Sequence, residues 1–420
     1  MGNIKSKKKE NKGNKENKDN KENKDRKENK GNKENKDNKD NNGKNNSSSK
    51  EGNDLCSKLE IPAQYNIQNF VLKMKEKFDS INNMDNIDLY TNPQNISFSI
   101  DLTKDSYSSY SWLDNTFAVF KSKKDNILYL IYTNSICSII VFNLIDNKKI
   151  IEIKNAHENE ITNFRYHYDK INKNDFIMSI AASKNNIKIW NVDNWECIID
   201  IKNINISGCL VSACFLIDQN ENYIVSSNDK LGICDPIKIY NFKGNKIKEI
   251  NNSCNLTCFI DTFYDKKLSK NFIITGNYKF VQSYDYNKND IYKKYCDNDI
   301  NSHCSLIIFN KDDKIQLIDS CRDGNIRIWD FHLAILLKRI NIGIGGFLIG
   351  ICLWNQDYLF IAGSNKNIIL IELNNGKIIN NLIASNNYVV CIKKIIHPRY
   401  GECLISQGDS KEQIKLWIKQ

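Results

Sequence analysis

Five histidines, fourteen cysteines and one glycine-rich run are the parts of this 420-residue chain whose types could do chemistry. His157, His167, His303, His332 and His397 are dispersed, and none forms the helical two-histidine pair that holds a catalytic zinc. The cysteines run from Cys56 to Cys403 without CxxC spacing, so they read as reduced, mostly buried thiols and not as ligand sets. Residues 343–350, GIGGFLIG, lack the Lys-Ser/Thr and the following helix with which a glycine loop cradles phosphate, and they read as a connection between strands. No nucleophile elbow and no spaced pair of carboxylates appears. The expectation is a protein that is not an enzyme and uses no metal and no cofactor.

One modification signal stands at the start. MGNIKS places Gly2 behind Met1 and Ser6 at the sixth position, the pattern of N-myristoylation. Removal of Met1 exposes an amine with no side chain to obstruct acyl transfer. Lys5, Lys7, Lys8 and Lys9 lie close enough to meet anionic headgroups, each adding about 1 kcal/mol. A single acyl chain binds only marginally, so this basic cluster is the second signal that it needs. With a hydrophilic N-terminus and no secretory signal, the chain is expected in the cytoplasm, peripheral on the cytoplasmic face of a membrane. In that compartment the sequons at Asn95 and Asn255 are by-products of an Asn-rich composition.

Charge and spacing separate the tail from the rest. The formal net charge is +10, but residues 1–50 hold 17 Lys or Arg against 9 Asp or Glu, which leaves only +2 for the remainder. A specific nucleic-acid partner therefore has no support in the folded part. From Lys12 to Lys39 a basic residue falls at almost every third position with nothing apolar to bury, so residues 1–54 are expected to be a disordered Lys/Asn-rich tail. Residues 55–94 form a linker in which Ile67, Phe70, Val71, Met74, Phe78 and Ile81 recur at three and four, predicting an amphipathic helix over 65–81. Its expected role is docking on the main domain. The opening LEIPAQYNIQNF also resembles the start of an F-box, which would make the chain a substrate receptor of a ubiquitin ligase, although one helix is found where that family has three.

Two uncharged or glycine-rich apolar runs are strands and not membrane spans. Residues 127–145 carry Thr133, Asn134 and Ser135 at their centre, so they read as a hairpin of two buried strands. Residues 339–355 are broken by Gly343, Gly345, Gly346 and Gly350 into a loop and a strand.

Beyond residue 95 a repeat sets the architecture. SCRDGNIRIWDF, 320–331, joins an Asp-Gly turn at Asp323 to an alternating strand around Trp329. Aligning on Trp329 gives Phe142, Trp190, Tyr240, Tyr284, Trp329, Ile371 and Trp417, at intervals of 48, 50, 44, 45, 42 and 46 residues. That period suits one four-stranded propeller blade per repeat. The chain stops three residues after Trp417, so the seventh unit has no room for its outer strand. Residues 95–102, NISFSIDL, with Ile96, Phe98, Ile100 and Leu102 alternating, are expected to supply it.

These units resemble the WD40 repeat family over about residues 95–420. The fifth is the clearest copy, with Asp323, Gly324, Trp329 and Asp330 in place and His303 near the start of its inner strand. In the second, Ala156-His157 stands for Gly-His and Trp190-Asn191 for Trp-Asp, with Lys184 or Asn185 in the turn region. The family's hydrogen-bonded His, Ser/Thr, Asp and Trp set is expected to be incomplete in every unit, leaving apolar packing to hold the blades. The resemblance implies an all-β, seven-bladed propeller that serves as a scaffold, its loops binding peptides or domains. Trp329, Asp330 and Asp323 would hold a blade together, and His157 and His303 would be structural. Lys188, Lys238, Arg327 and Lys415, each two residues before the marker, are read as a feature of the strand and not as a binding patch.

Overall fold

The computed structural model describes residues 93–419 apart from short internal segments at 104–105, 107–114, 135–136, 182–185, 203–209, 229–235, 252–256, 278, 298–302, 344–346 and 410–411. The expected tail 1–54, the helix 65–81, Gly2 and the lysines at 5, 7, 8 and 9 lie outside the described residues, as do Lys184 and Asn185.

Seven four-stranded antiparallel sheets follow one another along the chain. Blades one to six span 118–153, 161–201, 210–250, 257–295, 303–341 and 348–383, each with its strands in sequence order from the inside outward. The seventh contains Val389–His397, Gly401–Gly408 and Ile414–Lys419, and its outer strand is Ile96–Asp101 from the beginning of the fold. This pairing joins the two ends of the fold in one blade and closes the ring, so that the remaining sheet edges are short. Residues 127–145 are the second and third strands of blade one, Leu128–Thr133 and Ile139–Asn143. Among the described residues no helix is long and apolar enough to cross a membrane.

The period of the sequence has a packing cause. Among the described residues the buried apolar side chains fall into seven clusters, and each bridges two adjacent blades. The marker residue of every blade sits on its third strand and packs toward the preceding blade: Trp190 with Phe120 and Ile131, Trp329 with Phe272 and Ile274, Trp417 with Phe360 and Leu370, and Phe142 with Ile405 and Leu416 across the closure. A strand sandwiched between two sheets buries both faces, which explains the near-continuous burial of Asn325–Asp330. Outer strands bury only part of one face, as in Lys148–Ile153.

The residue after the marker has its own task. Asn143, Asn191, Asn241, Asp285 and Asp330 each accept backbone N–H groups two to four residues on, closing the turn into the outer strand. Asn and Asp serve equally well here, which is why a Trp-Asn pair can stand where Trp-Asp does. The same junction carries a bulge in six blades, for example between Ile189 and Trp190 and between Ile328 and Trp329. An extra residue there increases the twist of the outer strand.

The closing strand departs from simple alternation. A register shift between Ile96 and Phe98 turns Ile96 into the cluster shared by blades six and seven and leaves Phe98 50% exposed, while Ile100 and Leu102 pack toward blade one. A bulge reverses the facing of the residues beyond it, so the four apolar residues do not share one face.

Candidate functional site

Blade two joins His157 and Trp190 through one serine. His157, 2% exposed ahead of the inner strand, meets Ser179 Oγ through Nε2 at 2.6 Å, and Trp190 Nε1–H donates to the same oxygen at 2.8 Å. Blade seven repeats half of this, with Trp417 Nε1–H donating to Ser406 Oγ at 2.8 Å. The hydrogen-bonded core is therefore more complete than the residue letters suggest. Apolar packing does not act alone.

Blade five uses a carboxylate where blade two has a hydroxyl. His303 Nδ1 lies 2.7 Å from Asp319 Oδ1, and Trp329 Nε1–H donates to Oδ2 at 2.5 Å. Cys321 Sγ stands 3.8 Å from the same imidazole nitrogen. Asp319, Ser320, Cys321 and Arg327 are fully buried. Burial pulls the His303 pKa down, but the Asp319 carboxylate outweighs it and holds the imidazole up at about 10. In His157, with a serine partner, burial and the nearby Lys188 charge push the pKa down to about 3. Two histidines in the same kind of setting thus carry opposite charge states at neutral pH. Arg327 is gripped on both sides: Asp323 accepts from its Nη1 and Nη2, at 3.3 and 2.5 Å, and Asp297 accepts from its Nε. Asp323 is the turn residue and also bonds the Asn325 N–H, so turn and strand are locked together.

His303, Asp319 and Cys321 are of metal-ligating type, and their donor atoms lie within 4.8 Å of one another. Both Asp319 oxygens are engaged and the His303 Nδ1 edge faces the carboxylate, so the arrangement is satisfied as a hydrogen-bond network. The remaining sequence markers take structural places: Tyr240, Tyr284 and Ile371 are buried between blades three, four and six and their predecessors, and Asp330 caps its turn. Lys188 lies 3.7 Å from Asp200 on the neighbouring strand, in keeping with a strand role.

A second arrangement lies in the middle of the ring. Inner strands of six blades line a cavity of about 370 Å³. From blade two comes Arg165, whose Nη1 is 3.6 Å from Asp261 Oδ2 of blade four and whose Nη2–H donates to the Ile260 carbonyl at 3.2 Å. Phe259 and Phe263, on the same strand as Asp261, and Leu306, Ile308, Ile351 and Leu353 of blades five and six supply apolar lining, and Lys393 of blade seven adds a second basic group. Arg165 and Asp261 are not among the residues singled out from the sequence. The two residues are separated by nearly a hundred positions, yet each stands fifth in a nine-residue inner strand, Ile161–Asp169 and Thr257–Asp265, as Lys393 does in Val389–His397, so the repeat itself brings this position toward the middle of the ring.

The ring of seven four-stranded sheets defines the class of protein as a seven-bladed β-propeller. No protein-family model matches the chain, and comparison with curated proteins finds no match. Among solved structures it is similar to the computationally designed Ika8 protein, with a TM-score of 0.52 and 11% identity over 74% of this chain and 98% of that one. At that identity the likeness shows the fold alone.

Proposed function

We propose that this chain is a non-catalytic interaction scaffold built on WD40-type repeats, held at a cytoplasmic membrane face by a myristoyl group on Gly2 and the basic residues Lys5, Lys7, Lys8 and Lys9. The observation that carries the scaffold reading is the rim of blade five, where Leu333, Ile335 and Leu337 are 63%, 55% and 50% exposed at alternate positions leading into the outer strand. Large apolar side chains set side by side on a rigid ring are what a protein partner would cover. The His–Ser–Trp and His–Asp–Trp networks support the kinship with WD40 repeats, because they use the residue types of that family in equivalent places.

Intact mass and membrane partitioning of native protein beside Gly2→Ala test the anchor. Loss of the acyl mass and of membrane recovery in the variant is expected, and native protein without an acyl group removes the anchor while leaving the scaffold. For the scaffold, partners captured by Gly2→Ala protein should be lost when Leu333, Ile335 and Leu337 are all changed to Lys. Retention of every partner by that variant refutes the rim as the binding surface.

A further inference from the structure

We propose that the central cavity is a binding site for a small uncharged molecule with an apolar body and an oxygen acceptor. The site is independent of the rim and goes beyond the scaffold reading. Apolar side chains predominate in its lining and polar groups are interspersed among them. Phe263 of blade four, Leu306 and Ile308 of blade five and Leu353 of blade six line the space and are only partly buried by the chain itself. Apolar surface left facing a concavity is what an apolar body would cover, and about 370 Å³ is at the small end of ligand pockets.

The charged groups of the lining are already engaged. Arg165 is paired with Asp261 at 3.6 Å and donates to the Ile260 carbonyl, and Lys393 has interactions of its own within the chain. An ion entering the cavity would lose hydration without gaining a counter-charge, which favours an uncharged ligand. Ser212 supplies the polar contact. It is 1% exposed and lines the cavity, and its Oγ has no hydrogen-bond partner among the described residues. The Arg165 Nε, a second donor in the same lining, is likewise buried without one. Buried donors are costly to leave unmatched, and an uncharged oxygen acceptor on the ligand would satisfy the serine hydroxyl.

Calorimetric titration of the full chain with 2-heptanone tests the assignment, with heptanoate and toluene as comparison ligands. Saturable 2-heptanone binding is expected. Heptanoate, which carries a charge, should bind at least about tenfold more weakly. Toluene, which lacks the oxygen, should bind about three- to tenfold more weakly, the scale of one hydrogen bond. Ser212→Ala should weaken 2-heptanone by that same factor and leave toluene unchanged, a split that a general loss of structure would not give. Leu353→Trp, which fills the space from its wall, should remove the binding of both. Ser212→Ala deletes one oxygen that bonds nothing described, so it decides the matter should Leu353→Trp fail to fold. Absence of saturable 2-heptanone binding, equal or tighter binding of heptanoate or toluene, or unchanged 2-heptanone affinity in Ser212→Ala or in folded Leu353→Trp overturns the proposal.

Discussion

Exchanging Asp319 for serine should convert the charged core of blade five into the neutral core of blade two. In the native protein His303 is protonated because Asp319 faces it at 2.7 Å in a fully buried setting. Its folded pKa of about 10 lies above the ordinary value of 6.5. The folded state therefore holds a proton that the unfolded state releases as pH rises, and stability from this pair is fully present below about 6.5 and is lost on the way to about 10. The slope contributed is up to about 1.4 kcal/mol per pH unit. Asp319→Ser leaves the Trp329 indole with a hydroxyl acceptor, as in the Trp190–Ser179 and Trp417–Ser406 pairs, and lets His303 stay neutral like His157. Replacing two charge-assisted bonds by neutral ones should lower stability by about 2–3 kcal/mol at pH 6.5. That difference should shrink as the pH is raised. Urea unfolding followed by far-UV circular dichroism between pH 6.5 and 8.5 reads it below the range where most unfolded-state cysteines ionise. A variant whose unfolding midpoint falls with pH as steeply as the native protein refutes a charged His303. The sign is opposite in blade two: His157, depressed to about 3, stays neutral when folded, so its contribution is present above about 6.5 and is lost as pH falls toward 3.

Three further outcomes follow from the packing. Ser179→Ala strands both the His157 ring nitrogen and the Trp190 indole and should cost about 2–4 kcal/mol, whereas Ser406→Ala strands only the Trp417 indole and should cost about half as much; equal shifts in midpoint on urea unfolding contradict the shared-hub reading. Gly363→Ala would place a Cβ 2.0 Å from the Phe347 carbonyl oxygen, a backbone atom that cannot step aside, so a loss of about 1–3 kcal/mol in calorimetric stability is expected, and an unchanged Tm refutes it. Deleting residues 91–103 should abolish soluble folding because it removes the outer strand of blade seven, while deleting 1–50 should leave the melting transition nearly unchanged; the reverse pattern would sink the closure argument.

Much of the fold is legible because one residue per blade must face the same way. The marker packs on the preceding blade at every step, and that geometric demand appears in the sequence as a bulky residue roughly every 45 positions. Its hydrogen-bond partner is harder to read. The second-strand position opposite the residue two before the marker is Tyr132, Ser179, Ser226, Thr275, Asp319, Ile361 and Ser406 in blades one to seven, so serine holds it in three blades and no single letter marks it throughout. The bulge at Phe98 is invisible for another reason: it arises from pairing with Ile418, at the far end of the chain. The Arg165–Asp261 contact depends on the curvature of the whole ring, a property that no strand possesses alone.

The shared seventh blade also dictates when the protein can finish folding. The Ile414 N–H is bonded by Thr103 Oγ1, a residue 311 positions earlier, beside strands drawn from both ends of the propeller. Closing a loop of that length costs about 5 kcal/mol of chain entropy before any contact in the seam compensates for it. During synthesis Ile96–Asp101 emerges first and must wait, unpaired and carrying Ile96 and Phe98, until Ile414–Lys419 has left the ribosome. The last step of folding is then long-range and slow, and the waiting strand is the segment of this molecule most in need of a chaperone.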